Sequence, residues 1–115
     1  MSEKYIAYLP SDFPKELLSV GHSLEVIGVS EMAWEYKEAL NVINFFANKG
    51  YVILGGDVYM FNNEWFESTY DSWYINKSKS ESFVEESRKK AVEYITQYTN
   101  RNGNGFVYSI VFEKV

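Results

Sequence analysis

The side chains best placed for chemistry in this 115-residue chain are two aspartates, Asp57 and Asp71. The first lies in an apolar run broken by two glycines, ILGGDVY (53–59), and the second in an aromatic run, TYDSWY (69–74). Two carboxylates held close, one protonated and one ionised, are the minimal acid/base pair of a small hydrolase, and a hairpin would bring these two face to face. No nucleophile, base or metal ligand accompanies them. The one histidine, His22, follows Gly21 at a predicted helix end, where an imidazolium caps carbonyls. The absence of cysteine removes thiolate nucleophiles, disulfides and Cys–His metal centres. Carboxylates alone hold Mg²⁺ or Ca²⁺, but no spacing here matches an EF-hand loop. The GGD triplet lacks the spacing and the following helix of a phosphate loop or dinucleotide fingerprint. No catalytic residue, metal ligand or cofactor is therefore expected.

What the chain does carry is aromatic and acidic. Rings make up 18% of the residues, with ten Tyr, eight Phe and three Trp, more than a core of this size requires. Residues 50–76 hold Asp57, Glu64, Glu67 and Asp71 and no lysine or arginine. The same window holds Tyr51, Tyr59, Phe61, Trp65, Phe66, Tyr70, Trp73 and Tyr74. Tyr and Trp anchor protein interfaces, while acids steer and orient a basic partner. The formal net charge of −5 argues against nucleic acid as that partner. No segment reaches membrane-span length and the N-terminus is not a signal sequence, so a cytoplasmic protein with no membrane partner is expected.

The elements that position these residues follow from periodicity. Residues 1–115 read as one domain. Residues 5–9 suggest a short strand or extended lead-in, and Ser11 or Asp12 a cap for a short helix near 14–20. Residues 22–32 read as loop with at most a turn of helix. From Trp34 to Asn48, Tyr36, Ala39, Leu40, Ile43, Phe46 and Ala47 form a helical stripe that Gly50 closes. Residues 51–54 and 58–61 read as strand, with Asn62-Asn63 as turn and return strands near 65–67 and 72–76. A second amphipathic helix runs to about Thr99, capped by Ser82 in a box with Glu85 or by Ser80 in competition, its surface paired Glu85–Lys89 and Glu86–Lys90. Residues 106–112 (FVYSIVF) read as a central strand. The fold class is α+β: a small, mostly antiparallel sheet with two main helices packed on one face.

In this order, VILGGDVYMF, EWFESTYDSWY, SESFVEESRKKAVEYITQY and NGFVYSIVF closely resemble the Immunity protein 40 family of bacterial polymorphic toxin systems. The earlier GVSEMAWEYKEALNVINFFANKGYVIL fits the same pattern, so the resemblance spans roughly residues 18–113. It implies a small cytoplasmic antidote that binds a cognate toxin domain and protects the producer and its kin. It marks Asp57, Tyr59, Tyr70, Asp71, Trp73 and Tyr74 as motif positions. Gly55, Gly56, Asp57 and Tyr59 are expected to be scaffold, Gly55-Gly56 making a bend or bulge. Glu64, Trp65, Glu67, Tyr70, Asp71, Trp73 and Tyr74 are expected to meet a toxin that is basic. The competing readings are a carboxylate enzyme using Asp57 and Asp71, and an adaptor binding some other protein.

Overall fold

The computed structural model describes residues 7–63 and 65–115. Of the expected 5–9 segment, Tyr5 and Ile6 lie outside the described residues, and residues 7–9 form a turn rather than a strand. Helix α1, Lys15–Val20, starts at Pro14 with no side-chain cap. Proline's missing N–H and fixed φ suit a helix start. Asp12, one of the expected caps, pairs instead with Lys49 at 3.1 Å.

The stretch 22–32, expected to be loop, holds β1 (His22–Ser23), a short 3₁₀ turn at Glu25–Ile27 and the first residue of β2 (Met32–Glu35), which runs on into the expected start of the first long helix. Met32 and Trp34 enter one core cluster and Ala33 another, the period-two burial of a strand. The Trp34 indole N–H donates to the Leu17 carbonyl at 2.7 Å, which ties β2 to α1. Helix α2, Tyr36–Asn48, therefore begins two residues later than periodicity suggested. It buries Ala39, Val42, Ile43 and Phe46.

Strand β3, Tyr51–Asn62, is a single twelve-residue element and the axis of the sheet. It pairs antiparallel with β4 (Trp65–Tyr74) on one side. On its other side it pairs with β6 (Val111–Lys114) along its first half and β5 (Phe106–Tyr108) along its second. The segment expected to be one central strand is thus two short ones, broken at Ser109-Ile110. The order β1-β2-β5-β3-β4 leaves β4 at the edge.

Helix α3, Phe83–Asn102, runs three residues past the expected end. Ser82 has φ −93° and ψ 11°, outside the extended region a capping serine needs. Its hydroxyl donates to the Glu86 carboxylate, and Glu85 pairs with Arg88 rather than Lys89. The buried stripe Phe83, Ser87, Ala91 and Ile95 is small at its centre, which lets the helix approach β3 closely. There the Ser87 hydroxyl accepts the Ile53 backbone N–H at 3.0 Å, beside the register shift between Ile53 and Gly55. A buried N–H at such an irregularity needs a substitute acceptor. Helices α2 and α3 contribute to a large cluster on one face of the sheet. A smaller cluster of Leu24, Ala33, Tyr59, Phe66 and Val107 covers part of the other.

Two glycines make the central strand possible. Gly55 has φ +144°, where side chains are strained, and a Cβ there would lie 2.2 Å from the Trp73 carbonyl oxygen. Gly56 does not have a positive φ, so the bend is not its reason. A Cβ on Gly56 would lie 1.9 Å from the Ser109 carbonyl oxygen and 2.4 Å from the Trp73 ring. Crowding, not conformation, fixes that position. Gly56→Ala is expected to destabilise the protein by about 3 kcal/mol in urea unfolding, because backbone must move to admit the methyl. Gly50→Ala, with left-handed backbone but nothing within 4 Å, should cost only about 1 kcal/mol. Equal losses would mean that the close approach at Gly56 is not what selects glycine.

Candidate partner-binding surface

Edge strand β4 presents its side chains in a pattern set by one large bulge. Register runs Trp65↔Asn62, Phe66↔Phe61, Glu67↔Met60 and Ser68↔Tyr59, then resumes at Ser72↔Asp57, Trp73↔Gly56 and Tyr74↔Gly55. Three residues, 69–71, thus stand against Val58 alone. Hydroxyls replace the lost ladder. Thr69 Oγ1 donates to the Val58 carbonyl at 2.8 Å and accepts the Asp71 N–H at 3.1 Å, while Ser68 Oγ accepts the Tyr70 N–H at 3.0 Å. At the apex Tyr70 takes φ +63° and is 93% exposed. A bulky residue in the left-handed region costs about 1 kcal/mol or more, and such outliers cluster at functional positions. No core contact of the Tyr70 ring compensates.

The other expected contact residues divide. Tyr74 is 77% exposed and Trp65 51%, so both rings are available. Glu67 and Asp71 are exposed, although Asp71 also accepts the Tyr98 hydroxyl at 2.7 Å, which anchors the bulge to α3. Glu64 lies outside the described residues. Trp73, expected at the partner surface, is instead core: 9% exposed and stacked on Tyr94 with ring centroids 4.9 Å apart. Its tryptophan type resembles an interface anchor, and only its pairing with Gly56 shows that it points under α3.

The carboxylate pair does not form. Asp57 shares a face with Tyr59, whose ring belongs to the smaller cluster on the side away from the helices. Asp71 turns the other way, to Tyr98 on α3. Nor does His22 cap a helix. Its ring packs 4.6 Å from Phe61 and 5.7 Å from Phe66, and Nε2 lies 3.5 Å from Glu35. Among the described residues no group of three or more His, Asp or Glu could hold a metal ion.

Around Asp57 the structure assembles a set that spacing did not reveal. The Asp57 N–H donates to Ser109 Oγ at 3.0 Å, and the Ser109 N–H donates back to the Asp57 carbonyl at 3.0 Å. Glu31, in the turn before β2, is half-buried. Its carboxyl is pushed above the usual range, first by burial and then by the Asp57 charge, with the Ser109 hydroxyl opposing. The Tyr59 phenol is pushed up to about 12 by burial and by the charges of Asp57 and Glu31. Tyr8, whose hydroxyl accepts the Met32 N–H at 3.0 Å, is also pushed up to about 12, by burial first and with Glu31 contributing. Glu31 is brought in from a loop 26 residues upstream of Asp57, so no local pattern could announce it.

A family model described as Immunity protein 40 matches residues 23–112. The chain belongs to the Immunity protein 40 family. The matched span of this immunity-family chain includes β2, α2, the whole β3–β4 hairpin, α3 and β5. It therefore includes the strained Tyr70 bulge and, of the Asp57 set, Glu31, Asp57, Tyr59 and Ser109 but not Tyr8. No curated protein matches the chain.

Because Glu31 binds its proton more tightly folded than unfolded, its contribution to stability is complete below the ordinary glutamate range. That contribution is lost as pH rises through the raised folded value. At neutral pH the ionised Glu31 is a cost, first through its burial and then through the Asp57 charge. Glu31→Gln is expected to melt above the parent at pH 7, with the gap closing below about pH 4, where the parent's group is protonated in both states. Coincident melting at both pH values would mean that neither burial nor the Asp57 charge raises the Glu31 carboxyl in the folded chain.

Proposed function

We propose that this chain neutralises a toxin domain by binding it along β4, with Tyr70, Tyr74 and Trp65 as anchors and Glu67 and Asp71 as steering and orienting charges. The observation that carries the reading is Tyr70, a large ring held in left-handed backbone at 93% exposure. Burial does not reward that conformation in the free protein, but burial in a partner would. Membership in the Immunity protein 40 family supports a toxin as that partner. The acids of residues 50–76, with no base among them, favour a basic toxin surface. Trp73 takes no part as a contact, and Glu64 belongs to the surface by sequence alone. Inhibition of this kind blocks rather than reacts. The separation of Asp57 and Asp71 onto opposite faces leaves the enzyme reading without its pair. The setting we propose is the cytoplasm of a bacterium carrying a polymorphic toxin system, where the chain acts without cofactor, nucleic acid or membrane.

The product of the reading frame adjacent to this chain's gene is the ligand to test. Tyr70→Gly should stabilise the free chain by about 1 kcal/mol, since glycine accepts positive φ. The same change should raise the off-rate of the complex about tenfold or more, as loss of a ring worth about 2 kcal/mol does. Glu67→Lys should slow association at low ionic strength and lose most of that effect as salt screens the field. A Tyr70→Gly variant that is more stable and binds with parental kinetics would remove β4 as the interface.

A further inference from the structure

We propose that the Ser72–Tyr74 end of β4 is a dock for one more strand, a short, extended, basic segment of the toxin that joins the sheet through main-chain hydrogen bonds. That the segment belongs to a toxin rests on the function proposed above; the preference of this edge for an extended basic chain does not. Hydrogen bonds on the far side of β3 fix which groups of β4 are free. Asp57 turns both its N–H and its carbonyl away from β4, to the Ser109 hydroxyl and the Ser109 N–H, at 3.0 Å each. Directly opposed residues of an antiparallel pair point their backbone groups either toward each other or both outward. Ser72, opposite Asp57, therefore points its N–H and carbonyl out of the sheet edge. Ile75 points inward, its N–H donating to the Leu54 carbonyl at 2.9 Å, so Tyr74 before it points outward too. The Phe61 N–H likewise turns away from β4, to the Gly105 carbonyl at 2.8 Å, which leaves its partner Phe66, and Ser68 two residues on, facing out. Among the described residues β4 pairs with β3 alone.

The bulge decides how much of this edge a guest strand can use. Ser68 Oγ and Thr69 Oγ1 already accept the Tyr70 and Asp71 N–H groups, so the middle of the edge offers no donors. Two short docks remain, at 66–68 and 72–74, and a broken edge of this kind discourages indiscriminate pairing. At 66–68 the face away from the helices is already covered, with Phe66 packed in the cluster of Leu24 and Ile27. At 72–74 the same face shows Asp57, Ser72 and Tyr74, all exposed. Ser72 is small and stands directly opposite Asp57, so a long basic side chain on the guest, placed beside Ser72, can cross it to the carboxylate. On the helix side Asp71 shares its recess with Arg101, so the Asp57 face is the one that selects a cation. A second copy of the chain is the poorer guest. Self-pairing at 72–74 would gather two Asp57 and two Asp71 carboxylates between molecules of net charge −5. In strand addition the main chain supplies affinity and the alternating side chains supply specificity.

Amide exchange of the ¹⁵N-labelled chain, read by NMR, tests the dock. One ligand is the product of the adjacent reading frame and the other is the synthetic peptide Thr-Arg-Val-Arg-Val-Arg-Thr. Strand addition should slow exchange at Ser72 and Tyr74 by about tenfold or more and leave the Trp73 amide, already turned to β3, as in the free chain. Ser72→Pro, tolerated on an edge where the N–H faces solvent, should weaken both ligands about tenfold, as loss of one main-chain bond with its acceptor left unpaired does. The alternation at 72–74 is read in the parent chain, so it decides even where Ser72→Pro fails to fold. A product that binds without slowing Ser72 and Tyr74, or that binds folded Ser72→Pro with parental affinity, overturns strand addition and leaves side-chain docking along β4 standing. A peptide that slows them, with no binding of the product, supports the dock and removes the toxin reading. Equal slowing by Thr-Glu-Val-Glu-Val-Glu-Thr, or by concentration-dependent dimerisation of the chain alone, overturns the basic guest. Failure of both ligands to slow these amides overturns the dock itself.

Discussion

The carbonyl of Ser109 lies where a side chain on Gly56 would begin, and the rest of the molecule is arranged around that approach. A Cβ at Gly56 would be 1.9 Å from that oxygen and 2.4 Å from the indole of Trp73. The bare backbone lets β3 run between the broken β5–β6 pair on one side and β4 on the other. Trp73 slides over Gly56 and under α3, where it stacks on Tyr94. Ser109, at the break, turns its hydroxyl to the Asp57 N–H. One crowded contact thus sets the position of the core tryptophan, the break in the neighbouring strand and the direction of Asp57.

Around this fixed centre the molecule carries two features that work against its own stability. One is Tyr70, held in left-handed backbone by the hydroxyls of Ser68 and Thr69 while its ring stands in solvent. The other is Glu31, a half-buried acid whose carboxyl is pushed up first by burial and then by the Asp57 charge. A chain selected only to fold has no use for either. Natural sequences depart from local consistency mainly at functional sites. Both departures lie within the β3–β4 region or against it, and the match to the Immunity protein 40 family spans both.

Legibility of the fold in the sequence tracked the range of the interactions. Helices α2 and α3 were readable because their buried residues recur every three or four positions. The α+β class followed from them and from the strand-rich middle. Met32–Glu35 was misread because Trp34 fits a helical stripe and a period-two strand equally well, and its indole bond to Leu17 decided the matter from outside the segment. Residues 106–112 looked like one strand because composition carries no sign of the break at Ser109, which depends on Gly56 across the sheet. The same limit applied to the candidate surface. Exposed Trp65, Tyr70 and Tyr74 matched the aromatic run that suggested them, whereas Trp73 differs from them only in its cross-strand neighbour. Glu31 was invisible as a member of the Asp57 set, since its charge meets Asp57 only through tertiary structure.

Hydrogen–deuterium exchange of the chain alone and bound to the product of the adjacent reading frame tests the central claim most directly, because it reads the docking surface without altering it. Binding along β4 predicts protection of amides in residues 65–74 and at 57–59, with the outward face of α2 unchanged. Protection confined to α2 or to the solvent side of α3, with β4 exchanging as in the free chain, would contradict the account.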